Sequence, residues 1–138
     1  MSAQENVVVV QNAYAAFARG DIQTILGSVT DDVEWVLPGE GLIPQAGTYR
    51  GPEGVGRFFQ LLSQTTEFSA FEPREFIADG DRVIVLGFYR GKAKDTGRSF
   101  EAQWVMSFTM RSGKVAAFRE YTDTATIGRA YAERSAAA

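Results

Sequence analysis

The chain has 138 residues, a formal net charge of −3 and a hydrophobic content of 45%, which are typical of one folded domain. It contains neither cysteine nor histidine, so disulfides, thiolate chemistry, histidine-based catalysis and most transition-metal sites are excluded. The mildly acidic charge argues against binding to nucleic acid. No apolar run approaches the roughly 20 residues that span a bilayer, and residues 1–5 do not resemble a signal peptide. We therefore expect a cytoplasmic protein without a nucleic-acid or membrane partner.

The first part of the chain is predicted to be mainly helical. Apolar residues three and four positions apart predict an amphipathic helix, which Gly20 ends. Asp21 is placed to cap the next, short helix, and Pro52 suits the first turn of a third one. A loop rich in glycine and proline lies before Pro52. The predicted helices are residues 3–18, 22–29 and 52–64, and a short strand is predicted over residues 33–37.

The second part of the chain is predicted to consist of strands. Turn residues at fairly even spacing favour consecutive antiparallel pairing. The predicted strands are residues 71–78, 83–90, 99–110 and 114–122. The last residues are expected to add a helical turn or two before an alanine-rich tail, which frays over residues 132–138. The sequence has no repeat and no domain boundary, so residues 1–138 are predicted to form a single domain.

This order of elements predicts an α+β fold. Helices come first and long strands follow, so the helices are expected to cover one side of a mostly antiparallel sheet. A sheet of long strands twists and curves. About three N-terminal helices packed on its concave side would leave a cone-shaped cavity between the two layers. Cavities of this kind commonly bind small ligands.

The most informative segment is residues 104–124, which predicts a hairpin with a carboxylate on an apolar face. Side chains alternate along a strand, so two sets face opposite ways after the Ser112-Gly113 turn: Lys114, Ala116, Phe118, Glu120 and Thr122 on one side, and Val115, Ala117, Arg119, Tyr121 and Asp123 on the other. If the first face lines a dry cavity, Glu120 is a natural general acid or base. The alternative is a solvated strand carboxylate beside Arg119.

Three segments of the chain together resemble the SnoaL-like branch of the nuclear transport factor 2-like (NTF2-like) superfamily. They are AYAAFARGDIQTILGSVTDDVEW (Ala13–Trp35), GTYRGPEGVGRFF (Gly47–Phe59) and SGKVAAFREYTDT (Ser112–Thr124). The superfamily also contains ketosteroid isomerases, limonene epoxide hydrolases and scytalone dehydratase. The resemblance covers nearly the whole chain and implies the cone-shaped fold and a homodimer formed through the sheet. It is less specific for an activity, because the fold hosts enzymes, binding proteins and dimerisation modules.

The resemblance places Glu120 where the SnoaL-like cyclases and the limonene epoxide hydrolases keep a catalytic aspartate. The other functional positions differ from those of the relatives. Met106 stands where many relatives have a histidine, and Leu37 stands where the base of the ketosteroid isomerases lies. Gly87 and Tyr89 lie near the positions of the arginine and aspartate that complete the epoxide hydrolase triad. Any chemistry would therefore rest on one carboxylate.

We predict a ligand site that consists of Glu120 and apolar or aromatic walls. Neighbours such as Phe118 and Trp104 would desolvate the carboxyl group, which raises its pKa. Three tyrosines are candidate hydrogen-bond donors to a developing oxyanion: Tyr14, Tyr49 and Tyr89. The side chains expected to contact a substrate are Tyr14, Phe17, Trp35, Leu37, Tyr49, Phe59, Leu62, Tyr89, Trp104, Met106 and Phe118. For most of these aromatic residues, a place in the core is the commoner role.

The expected function is the binding of a small hydrophobic molecule, followed by acid–base chemistry at Glu120 without a cofactor or a metal. The reaction would be an isomerisation, a cyclisation, a dehydration or a hydrolysis. Two alternatives stay open. The protein could bind a ligand without turnover, with Glu120 orienting the ligand's polar end. It could also be a homodimeric interaction module whose cavity is filled by its own side chains.

Overall fold

The computed structural model describes residues 2–132, which form four helices and one six-stranded sheet. The helices are α1 (Ala3–Ala18), α2 (Ile22–Leu26), α3 (Gly51–Thr65) and α4 (Thr124–Tyr131). The strands are β1 (Val29–Leu37), β2 (Gly47–Arg50), β3 (Thr66–Asp79), β4 (Arg82–Ala93), β5 (Ser99–Arg111) and β6 (Lys114–Thr122). Residues 133–138, which make up most of the predicted tail, lie outside the described residues. No helix within residues 2–132 has the length and apolar character needed to cross a membrane.

Side-chain caps determine where the first two helices begin. The Ser2 hydroxyl oxygen accepts a hydrogen bond from the Glu5 N–H at 3.1 Å, and the Glu5 carboxylate accepts one from the Ser2 N–H at 3.1 Å. This reciprocal pair satisfies two free donors at the start of α1. Asp21 accepts from the Thr24 N–H at 3.1 Å and caps α2 as predicted. Gly20, at a φ of 74°, ends α1 in the left-handed conformation that glycine tolerates.

The sheet has the strand order β2-β1-β6-β5-β4-β3. The long strands β3 to β6 pair antiparallel in sequence order, as their spacing predicts, and β1 pairs parallel with β6. α1 packs against β3 and β4, α3 against β1, and α4 against β5. The helices lie on one side of the curved, mostly antiparallel sheet, which confirms the predicted α+β fold class.

The hydrophobic core lies between the helices and the sheet. The largest of its fully buried side chains are valines from α1, α3 and three strands: Val10, Val33, Val55, Val83, Val85 and Val115. β-Branched side chains pack well on a pleated surface, which explains their use here. Gly87 pairs with Trp104 across β4 and β5, and a Cβ atom at Gly87 would overlap the Trp104 ring. The glycine therefore lets the indole lie directly on the sheet.

Several element boundaries differ from those predicted, and three of the differences concern where a strand begins. β1 begins at Val29, where the end of a helix was expected, because Val29 is buried and pairs with Val115 of β6. The loop after Pro38 contains the short strand β2, which pairs with the end of β1. β3 begins at Thr66, where the chain pairs with Ala93 at the far end of β4. Each of these three differences arises from pairing with a distant strand, which the local pattern does not show.

A β-bulge in β6 corrects the predicted alternation of its side chains. The pairing of β6 with β5 skips one residue, Ala116. Such a bulge shifts the phase of the strand, and it places Val115 in the same core as Phe118. Strict alternation predicts opposite faces for these two residues, so that prediction was wrong. After the bulge the alternation resumes, and Phe118 and Glu120 both line the concave side.

Candidate ligand-binding and active site

An apolar cavity of about 100 Å³ lies between the helices and the concave face of the sheet. One water occupies roughly 10–15 Å³ by the same measure, so the cavity has room for a larger molecule. Eleven of its lining side chains are aromatic: Tyr14, Phe17, Trp35, Phe58, Phe59, Phe68, Phe71, Tyr89, Phe100, Phe108 and Phe118. The other lining residues are Ala13, Ile25, Leu37, Pro38, Ile43, Gln45, Ala46, Leu62, Thr66, Met106, Glu120 and Ile127.

Glu120 reaches this cavity from β6, directly opposite Met106 of β5 in the antiparallel register. The residue as a whole keeps partial exposure, but its carboxyl group is desolvated. Burial raises the pKa of Glu120 to about 7, and hydrogen bonding to the Tyr89 hydroxyl opposes that rise. Arg119, the neighbouring residue in the sequence, is exposed. Within residues 2–132, Glu120 has no ion pair.

Two tyrosine hydroxyls lie close to the Glu120 carboxyl group. Tyr14 of α1 donates a hydrogen bond to the Met106 Sδ atom at 3.1 Å, and Tyr89 of β4 donates to the Thr122 Oγ1 atom at 2.9 Å. Burial raises the pKa of both phenols, and the nearby Glu120 charge raises it further. Both side chains therefore stay protonated and act as hydrogen-bond donors.

Nine of the eleven side chains predicted to contact a substrate line the cavity: Tyr14, Phe17, Trp35, Leu37, Phe59, Leu62, Tyr89, Met106 and Phe118. The other two do not. Trp104 lies behind Tyr14, with the two rings stacked at a centroid separation of 5.9 Å. Tyr49 packs its ring against Phe58 and donates its hydroxyl proton to the backbone carbonyl of Gln45 at 2.9 Å. Trp104 and Tyr49 therefore contact other residues of the protein and do not line the cavity.

Sequence reasoning missed a polar cluster in the cavity wall. The Gln45 Nε2 atom donates to the Thr66 hydroxyl and to the Tyr131 hydroxyl, at 3.3 Å each. The Thr65 hydroxyl donates to the Gln45 Oε1 atom at 2.9 Å, and the Thr66 and Tyr131 hydroxyls also contact each other. The cluster joins the loop after β1 to the α3–β3 junction and to α4. Its members are far apart in the sequence, so no local motif indicates it.

The cavity carries little charge. Among the lining residues that the structure describes, Glu120 is the one acidic side chain, and none is a lysine or an arginine. Within residues 2–132, no group of three or more carboxylates is arranged to hold a metal ion. The arrangement therefore suits an apolar ligand that meets a single carboxyl group.

A sequence profile of the SnoaL-like domain matches residues 10–118 of the chain. The chain belongs to the SnoaL-like family. This SnoaL-like protein is similar in structure to an NTF2-like protein from Burkholderia xenovorans LB400, with 45% sequence identity and a TM-score of 0.87. That match covers 94% of this chain and 98% of the other. The resemblance found in the sequence is thereby confirmed.

Two further relatives extend the comparison. The structure of TerC co-crystallised with polyporic acid has 31% identity to the SnoaL-like chain and a TM-score of 0.78, and the match covers 91% of this chain and 97% of TerC. An uncharacterised protein from Mycobacterium tuberculosis is 25% identical over 121 residues, which are 88% of this chain and 91% of the relative. These similarities support the assignment of the family and its fold. The reaction has to be inferred from the residues of the cavity in this chain.

Proposed function

We propose that this SnoaL-like protein binds a small hydrophobic molecule in its aromatic cavity and acts on it by cofactor-free proton transfer at Glu120. The observation that carries this proposal is the position of the carboxyl group, which lies in an apolar cavity without an ion pair among residues 2–132. Burial raises the pKa of Glu120 to about 7. A group with a pKa near the working pH is the most efficient general acid or base.

In the proposed chemistry, ionised Glu120 removes a proton from the ligand at an atom next to a carbonyl group. Negative charge then develops on the carbonyl oxygen, where a hydrogen-bond donor lowers the barrier. Tyr14 is the preferred donor because its present acceptor, the Met106 thioether, is a weak one. Protonated Glu120 returns the proton to another atom of the ligand. The same transfer serves an isomerisation, a cyclisation or a dehydration, and the SnoaL-like family includes cyclases and isomerases.

A second candidate function is ligand binding without turnover. Met106 stands opposite Glu120 in the sheet, and a thioether does not transfer protons. The site then has one proton-transfer group, and Glu120 could simply hold the polar end of a ligand. The third candidate, an interaction module with a filled cavity, is less well supported because about 100 Å³ of the cavity is open.

The first test is a thermal-shift screen of wild type and Glu120→Gln with apolar ketones, lactones, epoxides and aromatic polyketide-like compounds. Polyporic acid belongs in the panel because TerC was crystallised with it. We expect a ligand that stabilises both proteins and is converted only by the wild type. Loss of a general acid–base group lowers the rate by roughly 10²–10⁴-fold.

Glu75→Gln is the matched control, because Glu75 is an exposed carboxylate on β3 and should keep full turnover. Binding without turnover in the wild type would favour the second candidate function. Full turnover by Glu120→Gln would place the chemistry on another residue. The absence of stabilisation by any compound in a broad panel would favour the filled interaction module.

A further inference from the structure

Among the residues that the structure describes, no positively charged side chain is paired with the Glu120 carboxyl group. No lysine or arginine lines the cavity among the described residues, and no ion pair within residues 2–132 involves Glu120. The titratable groups that face it are two phenols, Tyr14 from α1 and Tyr89 from β4. A carboxylate in an apolar cavity is costly unless it is paired. A cationic ligand would supply the missing partner.

Aromatic rings line the same cavity as Glu120. Phe118 precedes Glu120 on the same face of β6, and its ring centroid lies 5.1 Å from that of Phe108 on β5. The Phe108 centroid in turn lies 5.8 Å from that of Tyr14 on α1. The face of an aromatic ring carries negative potential, which attracts a cation within about 6 Å of the ring centroid. The Glu120 carboxylate and the aromatic rings therefore both favour a positively charged group on the ligand.

We propose that the cavity preferentially binds ligands that carry an organic ammonium group, with the ammonium paired to Glu120 and the apolar body of the ligand packed against the aromatic walls. This inference rests on the proposed function only in requiring that the cavity admits a small apolar molecule, and it needs no turnover. A neutral ligand of the same shape leaves the carboxylate without a partner. A negatively charged group at this position meets a like charge.

The lining residues also favour an ammonium over other cations. A guanidinium presents five N–H donors, whereas the polar groups that the structure shows near the Glu120 carboxylate are the Tyr14 and Tyr89 hydroxyls. A quaternary ammonium has no N–H donor and needs only charge compensation and apolar contact, and aromatic rings provide both. The site is therefore best matched by an alkylated amine with a hydrophobic substituent.

The test compares benzyltrimethylammonium with neopentylbenzene, two molecules of the same shape that differ by a positively charged nitrogen in place of a carbon. Dissociation constants are measured by NMR titration at a pH of about 8, where Glu120 is ionised. We expect the ammonium compound to bind the wild type roughly tenfold more tightly than the hydrocarbon. Glu120→Gln should lose most of this preference and keep only the smaller part that the aromatic rings supply. Phe118→Leu should reduce the preference for the cation by removing a ring.

Equal affinity of the two compounds for the wild type would overturn the inference, and so would a cation preference in Glu120→Gln as large as that of the wild type. In either case, binding of neopentylbenzene would leave the proposed hydrophobic site intact. If neither compound binds, the inference fails, and the thermal-shift panel of neutral compounds decides the proposed function separately. If Glu120→Gln does not fold, the wild-type pair and Phe118→Leu still decide the question.

Discussion

Glu120 is the single residue whose environment departs most from that of a surface carboxylate. Its pKa is about 7 in the folded protein, against an ordinary value of 4.5. The folded state therefore holds a proton that the unfolded chain has lost between these two pH values. Stability falls as the pH rises through this window, and the contribution of Glu120 is constant above about pH 7.

We predict that Glu120→Gln is more stable than the wild type above pH 7, by on the order of 3 kcal/mol at most. The difference should be small near pH 4.5 and grow toward pH 7, because glutamine has no charge to desolvate. Urea denaturation of both proteins at several pH values measures it. A difference that does not change with pH would show that the carboxyl group is hydrated in the folded protein.

Two glycines in different elements should respond in opposite ways to the same substitution. At Gly87 of β4, a Cβ atom would overlap the Trp104 ring and lie 2.6 Å from the Glu72 carbonyl oxygen. At Gly56 of α3, the nearest atom to a new Cβ is Leu26 Cδ1 at 3.6 Å, an ordinary contact. A methyl group at Gly87 would therefore overlap neighbouring atoms, whereas a methyl group at Gly56 has room.

We predict that Gly87→Ala destabilises the protein by roughly 1–3 kcal/mol or more through overpacking. Gly56→Ala should instead stabilise it by roughly 0.5–1 kcal/mol, because alanine is the better helix former. The unfolding free energies of both variants in urea test this contrast. Wild-type stability in Gly87→Ala would mean that the Trp104 indole has another position available.

Helix α4 is attached to the rest of the fold by polar contacts at its C-terminal end. The Tyr131 hydroxyl contacts Gln45 and Thr66, and the Thr96 hydroxyl donates to the Ala130 carbonyl oxygen at 2.5 Å. Removal of the Tyr131 hydroxyl leaves the buried side chains of Gln45 and Thr66 with one hydrogen-bond partner fewer. A buried polar group without a partner lowers the free energy of unfolding.

We predict that Tyr131→Phe lowers the unfolding free energy by about 1–2 kcal/mol and accelerates hydrogen exchange of the α4 amides. Ser63→Ala is the control, because the exposed Ser63 hydroxyl on α3 bonds the Gln60 carbonyl oxygen of its own helix, and it should change stability by less than about 0.5 kcal/mol. Unchanged exchange in α4 would show that its apolar contacts alone hold the helix.

At the scale of the whole molecule, no helix within residues 2–132 covers the convex side of the sheet. Apolar side chains stand in register across this face, with Leu86 of β4 paired to Val105 of β5, and Val105 paired to Tyr121 of β6. Two guanidinium groups cover the Phe88 ring, those of Arg74 at 4.8 Å and Arg90 at 5.5 Å from its centroid. A sheet buries an apolar face against another layer, and a second copy of the chain is the proposed layer.

We predict that the wild type is a homodimer and that Val105→Lys dissociates it, because β5 lies inside the sheet and a lysine there would be buried in the interface without a partner. Val8→Lys is the matched control, since Val8 is 44% exposed on α1, and it should leave the dimer intact. Sedimentation velocity over a range of concentrations measures both. A monomeric wild type at micromolar concentration would refute the proposed interface.

The local sequence pattern was sufficient to predict the elements whose own residues supply the hydrophobic periodicity or the capping groups. α1 has the predicted bounds, and the turn between β5 and β6 lies at Ser112 and Gly113, both at positive φ. β2 and the first residues of β3 were not predictable, because their hydrogen bonds are supplied by strands distant in the chain. The bulge at Ala116 belongs to the same class, since a bulge is a property of a strand pair.

The sequence by itself determined the chemistry that is available to this protein. Without histidine and cysteine, and with Glu120 on an apolar strand face, a proton-transfer site has few possible compositions. Only the tertiary structure decided which aromatic side chains reach the cavity, that Trp104 lies behind Tyr14, and that Gln45 joins the wall. Composition and periodicity are properties of the chain alone, whereas these contacts join residues far apart in the chain, which only the packing of helices on the curved sheet brings together.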